Sequence, residues 1–402
     1  MKRSRVLLGL ALLYTTQGIP FGLAAEYLPV VLRMSGASLA TIAAVSWLQL
    51  PWQAKVLWAG VADRPAVRAR SRGILLVLQL GLATVVAGYA LTPFAHGRTL
   101  WFALTALAAL FAATQDVFVD ALAVRALRPE DRGIGNVAQV AGYRVGILIG
   151  GAGLLLVIAD LGARTTLLAC AAIVATASVA AFGLREQHAV EAVPTSARLD
   201  PLATRALVSH LFSREAWPVI GLACTYKLGL HIASVLIKPM VVDAHWTQRE
   251  IGLAVVTAGT AAGLFGAALG GVVHKKLGDD RALLAAGLAQ AAACVPLIIA
   301  AFARVPRGWM IAAIACEHFA SGIGTTVLFA ALMAATRPAN AGLHYTILTS
   351  ANALAIGLGG VLGGMLGDRV GYGGTFAIAG LVCLAPLLLV ARWRTAATAS
   401  AG

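Results

Sequence analysis

The chain has 402 residues, 59% of them hydrophobic and only 12% charged, against roughly 25% charged in a soluble domain. Its mean hydropathy is +0.84, which excludes an ordinary soluble enzyme. The net charge of +14 lies in short breaks between apolar runs instead of on one basic face, so a nucleic-acid binder is excluded too.

Those breaks leave about twelve apolar runs, each long enough at roughly 20 residues to cross a hydrocarbon core of about 30 Å. In chain order they predict spans at 6–32, 40–62, 74–91, 100–124, 135–158 and 165–184, then at 217–242, 251–273, 282–303, 310–333, 344–366 and 375–390. The fold class is therefore an all-α integral membrane protein with two six-helix bundles, 1–184 and 217–402. A polar cytoplasmic linker, 185–216, joins them. The opening "MKRSRVLLGLALL" reads as the first span, since its apolar run continues too far for a cleaved leader.

Along the first span, Gly18, Pro20 and Gly22 predict a bend that bares backbone to a cavity, with Gly18 and Pro20 as gating elements. Glu26, just beyond, is expected to face that cavity. In the fourth span "FAATQDVFVDALAV" sets Asp116 and Asp120 one turn apart on one face. Each acid costs roughly 2.5 to 3.5 kcal/mol in a bilayer unless it meets protein or water. Arg144 of the fifth span is the expected partner of Asp116, in a buried carboxylate–guanidinium network. Gln115, Gln139 and Tyr143 add hydrogen-bonding capacity toward the same interior. Asp116 is the deeper acid and a candidate for proton coupling, whereas Asp120 is expected to lock helix ends or the basic loop from Arg64 to Arg72.

Lys227 and His231 are four apart on the seventh span and share a face; Lys227 either attracts an anionic solute or pairs with Glu317. On the tenth span Glu317 and His318 are adjacent, so they point about 100° apart and are expected to face different partners, one of them the cavity. An acid beside a histidine is a usable proton relay. After the eleventh span, "GDRVGYGGTFA" with Asp368 and Arg369 echoes "ADLGARTTLLA" after the fifth, a turn of structural or gating character. Gly322, Gly324, Gly359, Gly360, Gly363 and Gly364 predict close helix packing. Cys170, Cys224, Cys294, Cys316 and Cys383 form no CxxC pair, so neither a disulfide framework nor a metal site is indicated. "GLGGVLGG" lacks the strand and following Lys of a phosphate loop. No cofactor is expected. Lys and Arg concentrate in alternate loops, among them Arg64, Arg68, Arg70, Arg72, Arg125, Arg128, Arg132, Lys275, Lys276 and Arg281, which puts both termini in the cytoplasm.

A tandem of two six-helix halves resembles the major facilitator superfamily, which implies a solute site near the membrane midplane between the halves, opened alternately to each side. The loop "WAGVADRPAVRARSRG" has the Asp-Arg and basic cluster of that superfamily's cytoplasmic signature, with Asp63 and Arg64 in the key places; "GGVVHKKLG" has Lys275 where an Asp would stand. "TQGIPFGL", "KVLWAGVADR", "QDVFVDA", "RGIGNVAQVAGYRVG", "YKLG" and "CEHFASGIGTTVLFAALM" resemble the peptide/acetyl-CoA transporter family, which includes the AmpG muropeptide permeases and the FptX and RhtX siderophore permeases. After "YKLG" an AmpG protein usually has an acid, whereas this chain has Leu230 and His231. The resemblance implies a proton-coupled importer in the bacterial inner membrane for muropeptides or similar polar peptide–sugar solutes. A siderophore permease is the second reading; a drug exporter and a non-transporting membrane sensor or scaffold are further ones. The partners expected are a small solute, protons and the bilayer, with the chain monomeric and neither an enzyme nor a nucleic-acid binder.

Overall fold

The computed structural model describes residues 3–58, 61–62, 64–94, 97–127, 132–183, 216–336 and 341–390. Asp63 and all of the linker except Ala216 lie outside them. Among the described residues the regular structure is helical throughout, and eight runs are long and apolar enough to cross a membrane. The chain divides into two compact units, one of Met1–Ser35, Val45–Val193 and Trp246–Val256, the other of Gly36–Ala44, Pro194–His245 and Thr257–Gly402.

In the first unit α1 (Arg3–Gly22) runs through Pro20 without a break, widens into a π turn at Leu23–Tyr27 and continues as α2 (Leu28–Met34). The second predicted span is not one helix. It is α3 (Leu39–Ala44), a 3-10 turn at Val45–Gln49, α4 (Leu50–Ala54) and a second 3-10 turn at Lys55–Leu57. Pro51 lacks the donor and crowds the carbonyl of Trp47, so the regular ladder fails there. α5 (Pro65–Arg68), α6 (Ser71–Leu91), α7 (Arg98–Ala126) and α8 (Arg132–Leu148) follow. α9 (Leu154–Leu161) comes after a π turn at Ile149–Gly153, and α10 (Ala163–Gly183) completes the first six spans.

The bend expected at Gly18 and Pro20 is corrected by this geometry. A Cβ on Gly18 would lie 2.1 Å from the Tyr143 carbonyl oxygen, and one on Gly146 would lie 2.0 Å from that of Thr15. The glycines therefore let the backbones of α1 and α8 touch, and Gly18 and Pro20 are both buried. The backbone at Gly18 and at Gly22 faces α8 instead of a cavity. An apolar cluster of Leu10, Leu13, Leu75, Val119 and Leu122 packs the start of α1 against the start of α6 and the end of α7.

In the second half of the sequence α11 (Trp217–Thr225) stops at Tyr226–Lys227 and resumes as α12 (Leu228–Asp243). A capping box between Thr247 and Glu250 starts α13 (Gln248–Ile251), followed by a π turn at Gly252–Ala258. α14 (Gly259–Phe302), α15 (Arg307–Ala334) and α16 (Ala341–Leu384) complete the order. α14 and α16 each contain two predicted spans, parted by Gly278 at φ 73° and Gly371 at φ 70°. Only a residue without a Cβ takes that left-handed conformation cheaply. The His274 ring meets Asp279 at 2.6 Å across the first of these turns.

Contiguous halves were the expectation; the two units instead exchange short segments. The start of the second span, Gly36–Ala44, packs in the second unit, and the start of the eighth, Trp246–Val256, packs in the first. Asp368 accepts the backbone N–H groups of Leu39 and Ala40, each at 2.9 Å, and so caps the first turn of α3 from more than 300 positions away. Gly364, one turn earlier on α16, lets that turn lie flat, since a Cβ there would sit 2.5 Å from the Leu39 carbonyl oxygen. In the reciprocal exchange a Cβ on Gly252 would meet Leu155 at 3.0 Å, and Arg249 reaches Asp160 at 3.9 Å. That ion pair is exposed on both sides and contributes little. Arg369 is exposed beside its capping neighbour. Asp368→Ala is expected to cost about 1 kcal/mol, the usual scale for losing an N-cap. The loss would be read as faster amide exchange at Leu39 and Ala40 of α3, with the amides of α16 unaffected.

Candidate functional site

Among the described residues, each unit holds a cluster of ionisable side chains at its helix interfaces. In the first unit α7 supplies the carboxylates. Asp116 forms an ion pair with Lys55, which the 3-10 turn after α4 aims toward α7. The lysine side chain is 34% exposed and the aspartate only 10%, so water reaches the pair from the lysine end. Arg144, the expected partner, is exposed on α8. It lies two positions from both Gly142 and Gly146, which touch α1, and hence on the opposite side of its helix. The network expected between Asp116 and Arg144 is therefore replaced by one between Asp116 and Lys55.

Asp120, one turn on, accepts hydrogen bonds at Oδ1 from Tyr14 at 2.7 Å and from Gln139 at 3.2 Å. It ties α1 and α8 to α7, a structural tie to neighbouring helices. Gln115 points elsewhere, and its amide donates to Thr16 Oγ1 at 3.1 Å and to the Leu13 carbonyl at 3.3 Å. Gln79 of α6 donates to the same Thr16 oxygen at 2.9 Å. These three side chains are fully or almost fully buried, so Gln115 belongs to a knot between helices, not to the interior where it was expected. The Tyr143 ring lies 5.8 Å from that of Phe21, tilted by 54°, and Phe21 in turn meets Trp52 edge-on at 5.8 Å. This half-buried aromatic row crosses from the fifth span to the second. Glu26 lies in the π turn and lays its stem across Gly151, where a Cβ would meet Glu26 Cβ at 2.6 Å.

The second unit's cluster forms around the break in the seventh span. Lys227 stands between α11 and α12 with only 2% exposure and donates to the Ser321 carbonyl at 2.9 Å and the Ser321 hydroxyl at 3.0 Å. Glu317, one turn before Ser321 and equally buried, receives the Ser234 hydroxyl at Oε1 and the His318 ring at Oε2, 2.9 Å away. The pairing expected between Lys227 and Glu317 thus gives way to other hydrogen-bond partners for each. The adjacent Glu317 and His318 were expected to face different ways. Their Cα–Cβ bonds do diverge, yet both side chains are long enough to curl back into contact. His318 Nδ1 also lies 3.0 Å from the Ile314 carbonyl. A nitrogen facing two acceptors must carry the proton, which fixes the tautomer. Nε2 is turned to Gly259, where an added Cβ would lie 2.9 Å away. His231 sits one turn along from Lys227, half-buried, with its Cβ against Gly359.

Sequence reasoning missed several participants. Lys55 was legible only as a lysine inside an apolar run, although the rule that such a charge needs a counter-ion would have directed attention to it. Tyr14, Ser234 and Ser321 carry no sequence signal, because hydroxyls are common in spans. Gln17, inside the quoted "TQGIPFGL", is fully buried, and neither of its amide atoms has a hydrogen-bond partner among the described residues. Such a group is costly to keep unless a bound molecule meets it in use.

Removing the phenol in Tyr14→Phe is expected to lower stability by about 1 to 2 kcal/mol, because Asp120 keeps only its longer bond. Gln17→Leu is expected to leave the melting temperature unchanged or higher, since an unpaired buried amide contributes nothing favourable. A drop of several degrees in Gln17→Leu would show that the amide is satisfied within the fold.

The sequence profile of the Major Facilitator Superfamily matches residues 6–316 and 223–401. Anhydromuropeptide permease of Escherichia coli (strain K12) is 28% identical over 400 residues, spanning 97% of this chain and 80% of that protein. Putative transporter AmpG 4 of Rickettsia conorii (strain ATCC VR-613 / Malish 7) is 25% identical over 389 residues, 93% of this chain and 92% of that one. Among solved structures, a bacterial homologue of the human lysosomal transporter Spinster, inward-facing and unoccupied, superposes with a TM-score of 0.72 at 14% identity. The match covers 100% of this chain and 98% of that one, a likeness of fold alone.

Proposed function

Because the chain belongs to the Major Facilitator Superfamily, a family of transporters and not of enzymes, we propose that it is a proton-coupled importer of muropeptides or similar polar peptide–sugar solutes. It would work by alternating access in a bacterial cytoplasmic membrane with both termini inside. The observation that carries the solute class is the full-length similarity to an anhydromuropeptide permease. Proton coupling is supported by the placement of Asp116 with Lys55 and of Glu317 with His318, acid–base pairs at helix interfaces within each unit. A carboxylate held by a removable donor can exchange that donor for a proton when water reaches it, and its charge then reports which side is open. The candidate residues for this chemistry are Asp116, Lys55, Lys227, Glu317 and His318, with the Trp52–Phe21–Tyr143 row as a surface for the solute's non-polar faces. The "TQG" of Thr16–Gly18 and the "EHF" of Glu317–Phe319 are the variants that keep a siderophore as the second solute class.

Purified protein in liposomes with an imposed inward proton gradient is expected to accumulate radiolabelled anhydromuropeptide, and to stop when the gradient is collapsed. Asp116→Asn and Glu317→Gln are each expected to lower that uptake on the order of tenfold, the factor that about 1.4 kcal/mol represents. Uptake indifferent to the gradient would remove proton coupling. Uptake of a ferric siderophore with none of the muropeptide would transfer the assignment to the second class, and accumulation of neither would leave a sensor or scaffold.

A further inference from the structure

The first unit contains a cavity of about 640 Å³ at the helix ends remote from the N-terminus, where α6 finishes, α7 begins and α10 begins. Its floor is aromatic. Trp101 lies 4.7 Å from Tyr89, 5.0 Å from Phe94 and 6.4 Å from Tyr27, ring centre to ring centre. The polar edges of two of these rings are already engaged: Trp101 Nε1 donates to the Thr92 carbonyl at 3.0 Å and the Tyr89 hydroxyl to Thr105 at 2.9 Å. These two rings therefore bring no free donor of their own to the cavity. Arg164 lines it and is exposed, and among the described residues none that lines the cavity is acidic. A guanidinium beside an aromatic floor at the end of membrane-spanning helices sits at the level where headgroups lie and where Trp and Tyr collect.

We propose that this cavity binds the headgroup of an anionic phospholipid, the phosphate on Arg164 and the glycerol with its first methylenes against the rings of Trp101 and Tyr27. The planar guanidinium fork matches two phosphate oxygens at once. The volume falls within the roughly 300 to 1,000 Å³ of sites that take small ligands, enough for a headgroup without its whole acyl tails. Gln248 adds a regulatory consequence. It is the first residue of α13 and lines the same cavity, and it belongs to the segment Trp246–Val256 that the second half of the sequence contributes to this unit. A lipid that fills the cavity favours whichever state keeps Gln248 at its wall, since a ligand shifts an equilibrium by its difference in affinity for the two states.

The test uses the full chain in maltoside micelles, titrated with dioctanoyl phosphatidylglycerol, dioctanoyl phosphatidylcholine or inorganic phosphate. Phosphatidylglycerol is expected to raise the unfolding midpoint by several degrees and to slow amide exchange in residues 246–256. The other two compounds should do neither. Because Arg164 is exposed, Arg164→Ala should fold with an unchanged midpoint in the absence of lipid and lose roughly tenfold in apparent affinity for phosphatidylglycerol. If that variant is unstable, Arg164→Gln is measured in its place. Equal stabilisation by phosphatidylcholine, equal stabilisation by inorganic phosphate, no stabilisation by phosphatidylglycerol, or full affinity in the Arg164 variant would each overturn the proposal.

Discussion

A side chain that carries charge inside a hydrocarbon layer has no water to fall back on, so the protein has to supply its partner, and the position of that partner decides where helices stand. Asp116 held by Lys55, Asp120 by Tyr14 and Gln139, and Glu317 by Ser234 and His318 all follow from that requirement. Each contact ties one span to another. Removing one member of a buried pair leaves the other stranded, at a cost of about 3 to 5 kcal/mol where burial is complete. The clusters are therefore structural ties at rest. In the proposed transport cycle, water or solute would reach them and take over a partner's place.

The partners get close enough because the helices carrying them do. Along α1 and α8 the side chains at the contact are reduced to hydrogen atoms, and carbonyl oxygens lie where a Cβ would be. Without a hydrophobic drive between helices in lipid, van der Waals contact of this kind is a main source of association. The same economy recurs on α15, where a Cβ at Gly322 would lie 2.1 Å from the Gly263 carbonyl. Helix irregularities sit beside these contacts: the π turns at Leu23–Tyr27 and Gly252–Ala258, and the stop at Tyr226–Lys227. They reorient Glu26 and Lys227, side chains that a regular helix would point elsewhere.

The exchanged segments obey the same logic with backbone groups in place of side chains. The first turn of α3 has donors with no acceptor inside its own helix, and Asp368 fills two of them. The start of the eighth span instead caps itself, through Thr247 and Glu250, and its docking in the first unit rests on packing about Gly252 and on an exposed ion pair. One exchange is thus fixed by charge-assisted hydrogen bonds and the other by weaker contacts. A carboxylate at the mouth of a short helix is a connection that can be made or broken as a unit, which a broad apolar seam is not.

Composition and apolar run length alone determined that the chain crosses a membrane repeatedly, because the length of a spanning helix is set by the thickness of the lipid and not by the rest of the fold. The same economy of burial singled out Asp116, Asp120, Lys227, Glu317 and His318, since a charge in an apolar run is conspicuous wherever it ends up. Quoted motifs carried the family. Which charge meets which was decided only by tertiary structure. Arg144 and Lys55 are equally good cations on paper, and the choice between them rests on the rotation of α8 set by Gly142 and Gly146 and on the 3-10 turn that aims Lys55 at α7. Pairing depends on helix rotation to within a fraction of a turn. That angle is fixed by contacts between residues far apart in the chain, to which periodicity within a single span is blind.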